Sequence, residues 1–207
     1  MIPRLPSFQA RQIYSTMALA EACNSTTFAP SLFGAEILSL QTSLVTDYNV
    51  FVNARDRRTQ PSIDVKDASF CNITVTYTHP GLGDNVIVEA WLPADNWNGM
   101  FQAVGGGGWS TGRNAGAYSA MAGAIADGYA TVTTDAGLGT AGDPSPWVLL
   151  SPGNVNMYYL QNFATASLND EVRFVWKIES KKFLELTIML PGYSRKVLHS
   201  KLLRPGP

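Results

Sequence analysis

The sequence predicts an α/β fold, on three observations. A short apolar run, Phe101 to Val104, empties into four consecutive glycines, Gly105 to Gly108, which reads as a buried strand ending in a tight loop. A helical pattern follows, with Ala115, Tyr118, Met121, Ala122, Ile125 and Ala126 on one face. Tyr129 to Thr134 is then a second buried strand. Strand, glycine loop, helix and strand with connections this short make a βαβ unit, whose crossover should be right-handed.

The remaining elements follow in chain order. Pro3 and Pro6 argue against order at the very start, and Gln9 to Ala22 has the composition of a helix. Apolar residues between Phe28 and Leu40 lead into an early strand near Ser43 to Val52. Asn53 to Asp67 is polar, and its run Arg55-Asp56-Arg57-Arg58 reads as a solvated loop. Cys71 to Tyr77 alternates as a strand does, with β-branched Ile73, Thr74, Val75 and Thr76. His79 to Asp84 is a turn and Asn85 to Leu92 the returning strand, an antiparallel pair. His79, at the strand end, is expected to be solvated rather than a general base. Asn114 is placed to cap the central helix and Gly128 to end it. Asp135 follows the second strand of the unit, at the carboxyl edge where open α/β sheets hold ligands; its simpler role is to brace the next loop. Beyond the Gly/Pro loop 137–147, Ser151-Pro152 reads as a helix start, with Met157, Leu160, Ala164 and Leu168 as the buried stripe.

The glycine loop is the candidate chemistry. Residues without Cβ let main-chain N–H groups face one point, and between a strand and a helix such a loop holds an anion or a developing oxyanion. Nucleotide phosphate is excluded on spacing. Gly-x-Gly-x-x-Gly cannot be placed here, and the near-Walker stretch Gly107 to Gly112 is followed by Arg113-Asn114 in place of Lys-Ser/Thr.

Composition narrows the classes further. A formal net charge of −1 leaves no electrostatic footprint for nucleic acid or an anionic membrane, and no apolar run approaches a membrane span. Cys23 and Cys71 are the only cysteines. Each sits beside an N-glycosylation acceptor pattern, Asn24-Ser25-Thr26 and Asn72-Ile73-Thr74. That pairing favours an oxidising, secreted setting with a Cys23–Cys71 disulfide; the alternative is two buried free thiols. No signal peptide is evident, since Met17 to Ala20 is too short for an h-region.

Several of these stretches, taken together and in order, resemble the tannase and feruloyl esterase family of serine esterases. They are Thr78-His79-Pro80-Gly81, Trp91-Leu92-Pro93 to Trp97-Asn98-Gly99, and Phe101 through Gly105-Gly106-Gly107-Gly108-Trp109. Gly128-Tyr129 to Thr134-Asp135, Leu150 to Asn156, and Leu160-Gln161-Asn162-Phe163-Ala164 to Asp170 continue the match. The resemblance implies an α/β-hydrolase-like sheet, incomplete here, with the lid domain and C-terminal half absent. It implies that Gly106 or Gly107 donates to an ester oxyanion, that Trp109 helps wall an acyl pocket, and that the substrates are phenolic esters. It implies no cofactor, the family's calcium belonging to the lid.

After Asp170 the resemblance ends. No Cys-Ser-x-Gly-Gly nucleophile elbow occurs: Gly192-Tyr193-Ser194-Arg195 is followed by Lys196 at the glycine position, and His199 by Ser200 instead of Cys. Charge switches at the same place, from 7 Lys/Arg against 13 Asp/Glu in residues 1–170 to 8 against 3 in residues 171–207. Residues 1–170 therefore read as the N-terminal part of an esterase domain, without catalytic triad and inactive alone, and 171–207 as a divergent basic tail. The alternative is a non-catalytic module that binds an aromatic or sugar ligand through the region of Trp91, Trp97 and Trp109.

Overall fold

The computed structural model describes residues 22–57, 60–140 and 142–174. The expected N-terminal helix, the elbow-like stretch at Ser194 and most of the basic tail lie outside those residues.

Five strands form one mixed sheet in the order β1-β2-β3-β5-β4. They are β1 (Glu36–Val52), β2 (Ile63–Thr78), β3 (Val86–Pro93), β4 (Phe101–Ala103) and β5 (Ala130–Thr134). The first four neighbours in that order pair antiparallel, and only β4 and β5 are parallel. Between those two lies helix α1 (Ala115–Ala126), so the strand–loop–helix–strand unit is present as the sequence predicts. Its caps are also as expected. The Asn114 side chain accepts from the Ala117 N–H, and Gly128 leaves the helix at φ +84°.

Alternation along β2 and β3 sorts the core into two layers. Ile73, Val75 and Tyr77 of β2, with Val86, Val88, Ala90 and Leu92 of β3, face one way under Phe28, Leu32 and Phe174. Phe70 and Trp91 face the other way, against Ala117, Met121, Ala122 and Ile125 of α1. Each fully buried branched side chain contributes about 1.5–3 kcal/mol, so these two layers dominate the fold's stability. Cys23 and Cys71 are bonded to each other, which fastens the segment before β1 to the middle of β2. Closing a loop of that length stabilises by about 4 kcal/mol in the chain-entropy account.

Several expectations are corrected. The early strand is longer than predicted and starts at Glu36. β4 is an exposed edge strand rather than a buried one, because among the described residues it pairs only with β5. Ser151-Pro152 does not start a helix. β6 (Leu149–Ser151) and β7 (Asn154–Val155) form a small hairpin there, after the short helix α2 (Ser145–Val148). Gly153 turns that hairpin at φ +77°, a conformation no first helical turn accommodates. Asn156 is the true cap: its side chain accepts from the Tyr159 N–H at 3.3 Å, and α3 (Met157–Gln161) begins there.

The stripe predicted on that helix is wrong as well. Met157 and Leu168 are exposed, while Asn162, Ser167, Asp170, Glu171 and Phe174 are buried. Asn162–Ala166 is a π-helical turn, and its wider repeat rotates the following residues off the 3.6-residue face. The helix then runs on through 167–174, so the change in composition at residue 170 falls inside a helix, and Phe174 packs on Tyr77 at 5.2 Å between ring centroids.

Arg57 is not solvated either. Its side chain pairs with Asp127 at the end of α1 and donates to the Pro61 carbonyl, while its stem lies across Gly123. The missing side chain of Gly123 makes room for it.

Candidate active site

The glycine loop leaves the carboxyl end of β4 and turns back toward the start of α1. Val104 closes the sheet end by donating to the Val132 carbonyl at 2.8 Å. Beyond it the four glycines are unequal. A Cβ at Gly106 would lie 2.1 Å from the Thr111 carbonyl oxygen and 2.2 Å from that of Ser110, so only glycine fits. At Gly105 and Gly107 a Cβ would meet open space. The Gly107 carbonyl accepts from the Ser110 N–H at 3.1 Å, whereas its own N–H has no acceptor among the described residues.

The return of the loop is fixed from several sides. The Gly112 N–H donates to the Thr134 carbonyl at 2.9 Å, and the Asn114 amide to the Thr111 carbonyl at 2.8 Å. The Thr111 hydroxyl lies 3.0 Å from the Asp135 carbonyl and 2.9 Å from that of Gly139. Asp135 braces the neighbouring loop, its carboxylate accepting from the Ile87 N–H at 2.8 Å and the Gly137 N–H at 2.9 Å. That is the simpler of the two roles its sequence position offers.

A cavity of about 740 Å³ opens beside the loop, lined by Gly105, Gly106, Gly107, Ser110, Asn114 and, across from them, Arg55. Trp109 does not line it. The Trp109 indole is 47% exposed and packs instead on Trp147 at 6.1 Å and Phe163 at 5.4 Å between ring centroids. Trp91 is buried in the α1 layer, stacked on Phe70 at 4.4 Å, and Trp97 is half-buried against the opposite layer. The three tryptophans therefore do not present one ligand-binding face.

Two polar clusters escape sequence reasoning. Glu89, in the middle of β3, is buried and takes five hydrogen bonds. Arg113 donates twice to one carboxylate oxygen, at 3.2 and 3.1 Å, and Tyr118 donates at 2.8 Å. Asn72 and the Trp91 indole donate to the other oxygen at 3.1 and 3.0 Å. A carboxylate so fully engaged has no lone pair for chemistry and acts as a structural hub. The signal available in the sequence is a lone acid within the apolar run Val86 to Leu92, since a charge at such a place requires partners. Asn72 is thus committed to Glu89, while Asn24 sits in a surface turn, its side-chain oxygen accepting from the Thr26 and Thr27 N–H groups.

The second cluster holds His79, which is not solvated. Its Nδ1 is 2.6 Å from Asp84 and its Nε2 3.0 Å from Asp170. Burial opposes the imidazolium, but the bonds and charges of Asp84 and Asp170 outweigh it and raise the His79 pKa. Burial likewise opposes the Asp84 carboxylate, yet His79, Asn162 and Thr78 together hold its pKa below the ordinary value. Asn162 donates to Asp84 at 2.8 Å and Tyr77 to Asp170 at 3.2 Å. With a carboxylate at each ring nitrogen, the imidazole has no free nitrogen to present to a substrate. The cluster clamps helix 157–174 to the end of the sheet.

Known proteins resemble this chain over only part of their length. No family model matches it. It is 40% identical over 144 residues to a probable feruloyl esterase of Arthroderma benhamiae, an overlap of 68% of this chain and 25% of that one. With a tannase of Aspergillus oryzae it shares 41% identity over 64 residues, 29% of this chain and 11% of the relative. A solved structure of tannin acyl hydrolase from Aspergillus niger matches with a TM-score of 0.61 and 26% identity, across 85% of this chain and 31% of that one. The chain thus spans about a quarter of the feruloyl esterase it matches. A mixed sheet with a parallel glycine-loop unit, overlaying an acyl hydrolase, is an α/β-hydrolase-like fold. Within that class the chain is similar to the tannase and feruloyl esterase family over the part it spans, as its motifs imply.

Proposed function

We propose that this chain carries the oxyanion-binding part of a serine carboxylic ester hydrolase acting on phenolic esters of the feruloyl or galloyl kind. The observation that carries the reading is the Gly107 N–H, which has no acceptor among the described residues and sits on a cavity-lining loop at the end of β4. A donor fixed beforehand at the place where negative charge develops stabilises a tetrahedral oxyanion and needs no reorganisation as the charge forms. Gly106 has the neighbouring part: it lets the loop fold onto Ser110 and Thr111 and so sets the direction of its neighbour. Trp109 is the candidate for the acyl side of the site.

Hydrolysis also needs a nucleophile, a base and an acid. In this reading the 207 residues do not supply them, and the chain by itself binds a phenolic ester without cleaving it. The disulfide and the Asn24-Ser25-Thr26 surface turn support a secreted setting, with Asn24 as the glycosylation acceptor.

Incubation of the purified chain with methyl ferulate tests this. Saturable binding without release of ferulate, weakened in Gly106→Ala, is the expected outcome. Turnover that disappears in Ser194→Ala would overturn the missing nucleophile, and binding indifferent to Gly106→Ala would overturn the loop's role.

A further inference from the structure

We propose that the open edge of β4 is a docking surface for residues 183–190 of this same chain, which add to the sheet as a sixth strand antiparallel to β4. Those residues lie outside the described ones.

β4 stands last in the sheet order, so one of its edges has no strand beside it among the described residues. Toward β5, the Met100 carbonyl accepts from the Ala130 N–H at 3.1 Å, and the Val104 N–H donates to the Val132 carbonyl at 2.8 Å. Main-chain groups along a strand turn alternately to its two sides. Met100, Gln102 and Val104 therefore face β5, and Phe101 and Ala103 turn their N–H and C=O groups to the open edge. Such a row is a template for a further strand. The two faces of the edge differ. Phe101 and Ala103 lie in register with Ala130 and Val132 of the first core layer, and on that face Phe101 is 38% exposed. Gln102 lies on the other face and lines the cavity with Arg55, which has no ion pair among the described residues.

The run Phe183-Leu184-Glu185-Leu186-Thr187-Ile188-Met189-Leu190 matches both faces. A period of two sets Leu184, Leu186, Ile188 and Leu190 on one side and Glu185 and Thr187 on the other. Beside β4, the leucine side extends the first core layer past Phe101, and Glu185 falls on the face where Arg55 stands. Pro191-Gly192 ends the run. The reach agrees. Phe174 packs on Tyr77 at the end of β2, and the place beyond β4 is four strand spacings away, about 19 Å. Ala103 lies about 13 Å further along the strands, which makes the path about 23 Å. Residues 175–182 extend to about 28 Å. They arrive at the end of the sheet where β2 and β5 finish, which is also the carboxyl end of β4. A strand entering there runs antiparallel to β4. Pairing β4 with the β4 of a second copy would join only the short run Phe101–Ala103 on each side.

Residue-resolved NMR of the labelled full chain tests this. The Phe101 and Ala103 amides are expected to exchange with solvent at least about 100-fold more slowly than in an unstructured chain. That protection should be unchanged on about tenfold dilution. Cross-strand Hα–Hα contacts in antiparallel order are expected between residues 183–190 and Phe101–Ala103. In the double variant Leu186→Pro/Thr187→Pro, one of the two neighbours necessarily turns its N–H to β4, so protection at Phe101 and Ala103 should vanish. Val88 and Met121 report on the core and should stay protected. Unprotected Phe101 and Ala103 amides in the unaltered chain overturn the proposal. So does protection that falls on dilution, which would assign the edge to a second copy. Protection that survives in the proline variant overturns it too. Should the variant lose its core, the Hα–Hα contacts of the unaltered chain decide alone, and their absence is fatal to the proposal.

Discussion

Two adjacent glycines divide the work of the loop. A Cβ at Gly106 has nowhere to go, since two main-chain carbonyl oxygens stand within 2.2 Å of its place. Gly106→Ala is expected to lower stability by about 2 kcal/mol or more, the range for strain the backbone must absorb. Gly107→Ala, with no atom within 4 Å of the new Cβ, should change stability by less than about 0.5 kcal/mol. Urea unfolding of the two variants decides between them. Glu89 gives a second prediction at this scale. Its removal in Glu89→Ala leaves the Arg113 guanidinium, itself 21% exposed, with only the 3.9 Å pair to Asp135, strips the Tyr118, Asn72 and Trp91 donors of their acceptor, and is expected to cost about 3 kcal/mol or more. A loss below about 1 kcal/mol would show that the network is not a hub. The sequence displayed the glycine run but not which glycine is sterically required, because that depends on Ser110 and Thr111 folding back. Asp135 was more legible, since bracing a loop needs only neighbours that its strand-end position supplies.

At the scale of elements, the docking of helix 157–174 depends on pH. His79 has a raised pKa in the folded chain, so its contribution is complete below its ordinary value of about 6.5 and is lost as pH rises through the raised one. Asp84 has a lowered pKa. Its contribution is present above about 3.9 and is lost as pH falls through the lowered value. Glu171 is pushed up to about 8 by burial, so the folded chain loses stability from about pH 4.3 until that value is passed. Thermal unfolding from pH 4 to 9 should therefore show its highest Tm at about pH 4–5 and a decline from there, steepened above about pH 6.5 as His79 loses its proton. Glu171→Gln flattens the decline below pH 8, and His79→Gln the part above 6.5. A Tm that rises from pH 6 to 9 would contradict the clamp. This helix was the element least legible in the sequence. Its apolar residues obey a 3.6 period, but the π-helical turn at Asn162–Ala166 changes the phase, and hydrogen bonds to Asp84 and Tyr77 bury a polar face instead. Helix α1, capped by Asn114 and ended at Gly128, was fully legible because its signals are local.

Across the whole molecule, the α/β class and the strand–glycine loop–helix–strand order were readable from periodicity and turn residues. The order β1-β2-β3-β5-β4 was not, since it depends on pairings between strands distant in sequence. The exposure of β4 has the same origin: an apolar run looks buried until its neighbours are counted. The disulfide ties these levels together by fastening the segment under the first core layer to β2. Reduction is expected to lower the denaturation free energy by roughly 2–4 kcal/mol, a change that urea unfolding with and without reductant measures. The central claim is that the loop after β4 offers its main-chain N–H to an oxyanion. Amide-resolved NMR of the labelled chain, titrated with an aryl phosphonate that mimics the tetrahedral oxyanion, tests it most directly. The account predicts a saturable downfield shift of the Gly107 N–H with smaller changes at Gly105 and Ser110; a titration that moves other amides and leaves Gly107 in place would contradict it.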